Sequence, residues 1–494
     1  MERKINIKYA TGTSAFLFIG LLAICYSAGV MGQFLAFSGV WALLILSAFI
    51  KPNVSFRQLS VAIMYLLVAS TFLNQSFLSI EVGFFTLFLY RLLLIAAVCI
   101  FLVHIARDRM LPRYWSEVQV KGVMLFLLFW LAYACVSLVW AKSVIDGIKY
   151  IFLLGIGILF VFLAVFTFKS LTKLWMVYIL WMLMSIPLMI VGLMNHFLHI
   201  QLPSSTLYGG PEYKLGYPTS VFYNQNDFAT FLTISFFFYL VAAKNCANGT
   251  LKTIMTLLVL LSGYLIYLTE SRASLLALFA GLLLYLFLHL PKVLKKLAIY
   301  LAAAAVVVGA ILIFIQFEKV FGLLFLSSGY QPKYEPLASN VSRINLLKNT
   351  LHYLGESLGF GVGAGNISYY LKNNPLFHTN YVVEVHNWLA EILGNFGILV
   401  FFGYVLMYGY LFFSLYKLYG LGGGKIKVLL EACLLAMAAF LVSSISPSTM
   451  INLYFHWVFL GFVISVVSVI KSLPARELSF SPGNKESTLS KIIV

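Results

Sequence analysis

The sequence YIFLLGIGILFVFLAVFTF at Tyr150–Phe168 continues for 19 residues without a charged side chain. A helix needs about 20 predominantly apolar residues to cross the hydrocarbon core of a bilayer. The run is continuous and does not alternate between apolar and polar residues, as a strand of a membrane β-barrel would. Residues 150–168 therefore predict a transmembrane helix.

Similar apolar runs recur along the whole chain of 494 residues, of which 62% are hydrophobic and 10% charged. A soluble domain carries about 25% charged residues, so a soluble globular enzyme is excluded. The runs predict an all-α, polytopic membrane protein with about 14 spans, and 12 spans if two closely joined pairs are single broken elements. The predicted spans are 13–31, 34–50, 59–73, 83–105, 122–140, 148–168, 173–198, 226–243, 252–269, 273–290, 297–316, 387–416, 428–446 and 452–470.

The distribution of basic residues predicts the orientation of these spans. Of the 33 Lys and Arg residues, 23 fall on one side, nine on the other, and Arg91 inside a span. Because cytoplasmic loops carry the excess of Lys and Arg, both termini are predicted to be cytoplasmic. The excess of 17 positive charges is thereby explained without nucleic acid.

Residues 1–470 are predicted to form a single integral membrane domain, followed by a polar cytoplasmic tail at 471–494. Two segments on the predicted outer side, 199–225 and 317–386, are too long to be simple connections. The second contains a helix-like stretch, Val341–Leu354, with apolar residues at Ile344, Leu347, Leu351 and Leu354. We expect the function to reside on this side.

Three arginines are candidates for a functional role. Two of them lie in or at the edge of predicted spans, where charged groups are costly and often functional. Arg91 lies inside a predicted span and is either a functional charge or the partner of Glu81. Arg272 lies at the outer edge of a span and is an anion receptor, an arginine that snorkels to the interface, or the partner of Glu270. Arg343 lies in the long loop, where most arginines are simply solvated. A guanidinium group can hold a phosphate through two parallel hydrogen bonds.

The end of the long loop combines flexible and titratable residues. The glycine-rich run Gly359–Asn366 does not follow a strand, so we interpret it as backbone that approaches a ligand or another helix closely. His386 stands where the loop enters the next span and is either a helix cap or a general base.

The shorter outer segment ends in hydrogen-bonding groups beside aromatic residues, which suits a sugar ligand. These groups are Asn224, Gln225, Asn226 and Asp227, and the alternative is that Asn226 or Asp227 caps a helix. His196 and His199 lack an evident third ligand, and the five cysteines form no CxxC motif. No metal site and no cofactor are predicted.

Several short motifs together resemble those of the O-antigen ligase and polymerase superfamily of bacterial membrane glycosyltransferases. The resemblance covers roughly residues 130–470 and rests on their order along the chain. The motifs are Ser137–Trp140, Phe222–Phe228, Ser271-Arg272, Ser342-Arg343, Gly359–Asn366, and His386-Asn387 followed by Gly394 and Gly397.

The resemblance implies a metal-independent transfer of glycan from a polyprenyl-diphosphate carrier to an acceptor hydroxyl, on the outer face of the bacterial cytoplasmic membrane. It implies that Arg272 and Arg343 hold the diphosphate and that His386 activates the acceptor. Sugar contacts are then expected from Asn224, Asn226, Asp227 and Asn387. The expected partners are the lipid-linked glycan, the bilayer and other assembly proteins, such as a flippase or a chain-length regulator.

Within the family, the chain looks most like polymerases of Gram-positive cell-wall polysaccharides, such as teichuronic acid polymerases. Polymerisation of repeat units is therefore the leading hypothesis. A ligase that transfers finished glycan to a lipid or protein is the alternative, since neither Arg272 nor Arg343 matches the Arg-x10-Gly pattern of some polymerases. A lipid-linked sugar transporter and a structural subunit are hypotheses of a different class. The concentration of acidic residues on the outer side argues against a transport path.

Overall fold

A computed structural model describes residues 56–73, 79–82, 85–108, 111–316 and 337–474. The chain divides into two compact units, Met1–Pro112 and Arg113–Val494. The predicted spans 13–31 and 34–50 lie outside the described residues, as do residues 317–336 of the long loop and 475–494 of the tail.

The first unit contains two helices and a small hairpin. Its elements are α1 (Phe56–Ser70), β1 (Ile80–Val82), β2 (Phe85–Leu87) and α2 (Leu89–Asp108). The strands pair antiparallel, with Ile80 opposite Leu87. The prediction of a helix from residue 83 is therefore wrong at its start, because Phe85–Leu87 bonds to a neighbouring strand and α2 begins only at Leu89.

The second unit is a helical bundle with long helices joined mostly by short connections. Its helices are α3 (Leu111–Glu117, beginning just before the unit boundary), α4 (Lys121–Val136), α5 (Val144–Thr167), α6 (Leu171–Leu198), α7 (Glu212–Leu215), α8 (Gln225–Asn245), α9 (Gly249–Leu268), α10 (Arg272–His289), α11 (Lys292–Ile315), α12 (Ser339–Glu356), α13 (Asn366–Asn373), α14 (Trp388–Tyr419), α15 (Gly424–Ser443) and α16 (Tyr454–Ser472). A short 3₁₀ turn, Ser137–Val139, follows α4.

Among the described residues, eleven helices are long and apolar enough to cross a membrane, which confirms the all-α polytopic fold. A helix satisfies its backbone hydrogen bonds internally, as hydrocarbon surroundings require. Residues 249–268 and 272–289 form two separate helices, so this closely joined pair is not a single broken element. The predicted span 59–73 corresponds to the shorter helix α1, of 15 residues.

The centre of the bundle is formed by α8, α15 and α16, whose side chains are almost entirely buried. The side chains of α11 are mostly exposed, as expected for a helix that faces lipid. Because successive spans alternate in direction, α5, α8, α10, α14 and α16 all begin at one end of the bundle. We call this the site end.

The glycine-rich run forms a backbone-to-backbone contact with α14. The N–H groups of Val362 and Gly363 donate to the carbonyls of Gly394 and Asn395, each at 2.9 Å. Gly397 interrupts α14 with φ 75° and ψ −170°. A Cβ atom on Gly397 would overlap the backbone of the glycine-rich run. The predicted close approach to another helix is thereby confirmed.

Gly397→Ala is expected to destabilise the protein, because alanine meets both an unfavourable φ and a steric clash. Backbone strain of this kind costs about 1–3 kcal/mol before the clash is counted. Gly409→Ala is the matched control in the same helix, since a Cβ there meets nothing within 4 Å. The thermal midpoint of the detergent-solubilised protein should fall for Gly397→Ala and not for Gly409→Ala. Equal midpoints for the two variants would contradict this account.

Candidate active site at the site end

The long loop folds over the site end around α12 and α13. Asn349 accepts hydrogen bonds from the N–H groups of Leu376 (2.8 Å) and Phe377 (3.0 Å), and Asn345 donates to the carbonyl of His378 (2.8 Å). The predicted helix at 341–354 is confirmed. Of its four apolar positions, Leu347, Leu351 and Leu354 are half-buried, whereas Ile344 is 47% exposed. The amide side chains face inward since they satisfy the backbone of the neighbouring loop.

His386 lies immediately before α14 in an unusual backbone conformation. Its φ of 53° is in the left-handed region, which non-glycine residues seldom adopt and which is frequent at functional sites. Its backbone N–H donates to the carbonyl of Ser448, and its Nδ1 lies 3.3 Å from the carbonyl oxygen of Ser446. A carbonyl can only accept, so this hydrogen bond places the proton on Nδ1 and leaves a free lone pair on Nε2.

Arg343 lies close enough to both Arg272 and His386 for its charge to interact with each of them. Burial, and then the charge of Arg272, lower the pKa of Arg343. Burial also lowers the pKa of His386, and Arg343 lowers it further, against the opposing effects of Ser446 and Glu384. Arg272 begins α10 and is exposed, whereas Arg343 is half-buried on α12. A transmembrane helix and a loop helix thus present two cations beside one imidazole.

Two of the alternatives for these residues are disfavoured by their surroundings. The carboxylate of Glu270 accepts a hydrogen bond from the hydroxyl of Tyr217 (3.2 Å), and the ion pairs among the described residues do not include one between Arg272 and Glu270. The cap of α14 is Asn387, whose side chain accepts from the N–H of Ala390 (3.1 Å). His386 is therefore not needed as a cap.

The predicted sugar-binding residues lie beside His386 but make internal contacts. Asn224 caps α8 by accepting from the N–H groups of Asn226 (2.9 Å) and Asp227 (3.0 Å), so the cap is neither of the two residues predicted. Asn226 accepts from the hydroxyl of Ser446 at 2.9 Å. Asp227 is buried, and its Oδ1 has no hydrogen-bond partner among the described residues. These positions form the wall of the site, and a sugar contact from them stays a prediction.

Arg91 belongs to the first unit, Met1–Pro112. It lies in the first turn of α2 and not in mid-span. Its guanidinium donates to the carbonyl of Thr86 (2.6 Å) and lies over the ring of Phe88 (4.9 Å). The side chain of Glu81 is not among those described. These contacts favour a structural role for Arg91.

Sequence reasoning missed the segment Ser444–Leu453 between α15 and α16, which we call the serine turn. Ser446 and Ser448 of this segment contact His386, and Ser446 also contacts Asn226. Sequence reasoning also missed Glu391, a buried carboxylate that accepts from the hydroxyls of Tyr150 (3.0 Å) and Thr449 (2.7 Å). The available signal was the density of hydroxyl side chains between two apolar helices, at Ser443, Ser444, Ser446, Ser448 and Thr449.

Two comparisons place this architecture in a known family. The profile of the family described as O-antigen ligase matches residues 257–405, a range that contains Arg272, Arg343 and His386. Together with the relative described next, this match shows that the chain belongs to the O-antigen ligase class of multi-pass membrane proteins. It is also 49% identical over 435 residues to the teichuronic acid biosynthesis protein TuaE of Bacillus subtilis (strain 168), and the match covers 88% of each chain.

Proposed function

We propose that the protein is a membrane glycosyltransferase of cell-surface polysaccharide biosynthesis that joins repeat units carried on a polyprenyl diphosphate. The observation that carries the proposal is the convergence of Arg272, Arg343 and His386 at the site end. The likeness to a teichuronic acid biosynthesis protein supports a polymer of that kind as the product. By the distribution of basic residues, the site end faces outward and both termini are cytoplasmic.

The reaction follows from the charges of these residues. Nε2 of His386 takes the proton of the acceptor hydroxyl, and the acceptor oxygen forms a bond to the anomeric carbon of the donor. The bond between that carbon and the diphosphate oxygen breaks, and the diphosphate leaves with the electron pair. Arg272 and Arg343 stabilise the negative charge that grows on the leaving group. Two fixed guanidinium groups can do this without a metal ion, so the transfer is proposed to be metal-independent.

The test is a reconstituted assay of the purified protein in liposomes. The protein receives polyprenyl-diphosphate-linked repeat units, with EDTA present and without a second acceptor, and the products are separated by size. We expect a ladder of increasing length that His386→Asn abolishes. Loss of the ladder with EDTA and its return with added metal would overturn metal independence. Unchanged glycan length with an intact donor would overturn polymerisation.

Ligation of a finished glycan is the second candidate function, and the family match to O-antigen ligase favours it. The same liposomes would then receive a preformed lipid-linked polymer together with a lipid or protein acceptor. Modification of the acceptor, without a ladder in the first assay, would assign the protein as a ligase. If neither product formed, transport of the lipid-linked glycan would become the leading hypothesis.

The transfer activity should persist at pH values below the usual pKa of histidine. The reaction needs neutral His386, and its lowered pKa keeps the imidazole neutral until the pH falls below 6.5. Glu384 raises this pKa, so Glu384→Gln should lower it further and move the acid limb of kcat/KM to lower pH. Glu356→Gln is the control, since Glu356 is exposed and pairs with His352. An acid limb that moves upward in Glu384→Gln would contradict His386 as the base.

A further inference from the structure

The serine turn runs beside the chain segment that carries His386. The backbone N–H of Trp388 donates to the carbonyl of Ser444 (3.1 Å), and the backbone N–H of His386 donates to the carbonyl of Ser448 (3.3 Å). Between these two bonds, Nδ1 of His386 meets the carbonyl of Ser446 (3.3 Å). Two carbonyls of the turn, those of Ser446 and Ser448, therefore hold the ring and the backbone of His386, and a third, that of Ser444, holds Trp388 two residues further on.

The turn is itself tied to three elements through its hydroxyl groups. Ser446 donates to Asn226 (2.9 Å) near the start of α8, and its oxygen lies 3.3 Å from the hydroxyl of Ser271, the residue before Arg272. Ser448 accepts from Nδ2 of Asn224 (2.6 Å). Thr449 donates to Glu391 on α14 (2.7 Å). Each tether is a buried or half-buried hydrogen bond, so the course of the turn is well determined.

We infer that the serine turn positions His386 for the reaction, an inference that rests on the proposed function. Within the turn, Ser446 is the positioning residue, because it connects His386 to the start of α10, where Arg272 lies. Its carbonyl selects the ring tautomer with a free Nε2, and its hydroxyl fixes where that carbonyl lies. The hydrogen bond to Nδ1 orients the ring, as a second-shell acceptor does for other functional histidines.

The geometry of residue 446 also restricts what can replace it. Pro447 follows directly and disfavours the helical region for residue 446. Threonine is compatible with a non-helical backbone and retains the hydroxyl group, so Ser446→Thr is the conservative variant. Ser446→Ala keeps the carbonyl but removes the bonds to Asn226 and Ser271. Ser444→Ala is the matched control, because the hydroxyl of Ser444 bonds only within its own helix region, to Leu441 (2.9 Å).

The first readout is kinetic, in the reconstituted assay. Ser446→Ala should lower kcat by about 10²-fold, as misplacement of a reacting group by about 1 Å does, while KM for the lipid-linked donor is unchanged. Without its hydroxyl bonds, the Ser446 carbonyl is no longer held beside Nδ1 of His386. Because that contact raises the pKa of His386, the acid limb of the pH–rate profile should also move to lower pH. Ser446→Thr should restore the rate, and Ser444→Ala should resemble the wild type. A normal kcat in Ser446→Ala, or an equal loss in Ser444→Ala, would overturn the inference.

The second readout does not depend on turnover. Nitrogen-15 chemical shifts of histidine in the wild-type protein, with His386→Asn used to assign the signal, report which ring nitrogen carries the proton. We expect the Nδ1–H tautomer in the wild type and a mixture in Ser446→Ala. A wild-type ring protonated on Nε2 would overturn the positioning role even if the protein polymerises glycan. A wild type that transfers no glycan would instead refute the proposed function, whatever its tautomer.

Discussion

His386→Asn is expected to lower glycan transfer by about 10²–10⁴-fold, the usual contribution of a positioned general base. Asparagine is the sharpest replacement, because it tolerates the left-handed backbone that His386 adopts at φ 53° and so preserves the fold. Its amide cannot accept a proton at neutral pH. Alanine would remove the imidazole and strain the backbone at the same time, which would confuse the two effects. The measurement is the initial rate of polymer formation per folded protein in liposomes.

The matched control for this variant is His352→Asn. His352 lies on α12 in the same folded loop, is about one-third exposed, and pairs with Glu356 (3.1 Å). It has no place in the proposed reaction, so its variant should retain the wild-type rate. If His386→Asn kept more than a tenth of the wild-type rate, a general-base role would be untenable. Equal thermal midpoints for the two variants would show that the loss is not one of folding.

Arg343→Lys is expected to lower kcat/KM strongly, although the positive charge is kept. Lysine presents a point charge and cannot form the two parallel hydrogen bonds that a guanidinium gives to phosphate. Loss of one hydrogen bond to a charged group costs about 1.5–3 kcal/mol, or about 10–10²-fold. Arg343→Gln also removes the charge and should lose more. The same ranking is expected for Arg272→Lys and Arg272→Gln, measured as kcat/KM for the lipid-linked donor.

Lys372→Gln is the control that distinguishes specific binding of the diphosphate by Arg272 and Arg343 from a general attraction of the anionic donor to basic residues. Lys372 is exposed in the last turn of α13, within the same folded loop. Its loss should change donor binding little, and only at low salt. If Arg343→Lys were as active as the wild type, a point charge would suffice, and the proposed pair of hydrogen bonds from Arg343 to the diphosphate would be wrong. If Lys372→Gln were as impaired as Arg343→Gln, the effect would be one of overall charge.

The fold was largely predictable because hydropathy acts over the length of a whole helix. The predicted span 173–198 and the observed helix Leu171–Leu198 differ by two residues at one end. The error at residues 85–88 arose from local strand pairing, which a hydropathy pattern cannot distinguish from the start of a helix. Hydropathy also did not indicate that α12 buries the amides of Asn345 and Asn349 beside Leu346 and Tyr353, because those amides are satisfied by loop backbone that is distant in the chain.

The titratable residues of the candidate site could be named from the sequence, but their surroundings could not. His386 and Ser446 are separated by 60 positions in the chain, and the bond between them uses a main-chain carbonyl. A carbonyl group is common to every residue, so it leaves no mark in the sequence. Glu391 could be recognised only as an acid near the outer edge. That it receives bonds from Tyr150 and Thr449 depends on how α5, α14 and the serine turn pack together.

The kink of α14 at Gly397 affects how movements of the long loop are passed to this helix. The first turns of this helix, from Trp388 to Phe396, are hydrogen-bonded to the glycine-rich run, and the remainder continues through the membrane after Gly397. The loop is also bonded below the kink, where the N–H of Ile398 donates to the carbonyl of Gly359 (2.9 Å). Above the kink, Glu391 ties the helix to Tyr150 on α5. The loop therefore holds α14 on both sides of Gly397, so a displacement of the loop would be passed to the helix above and below its break.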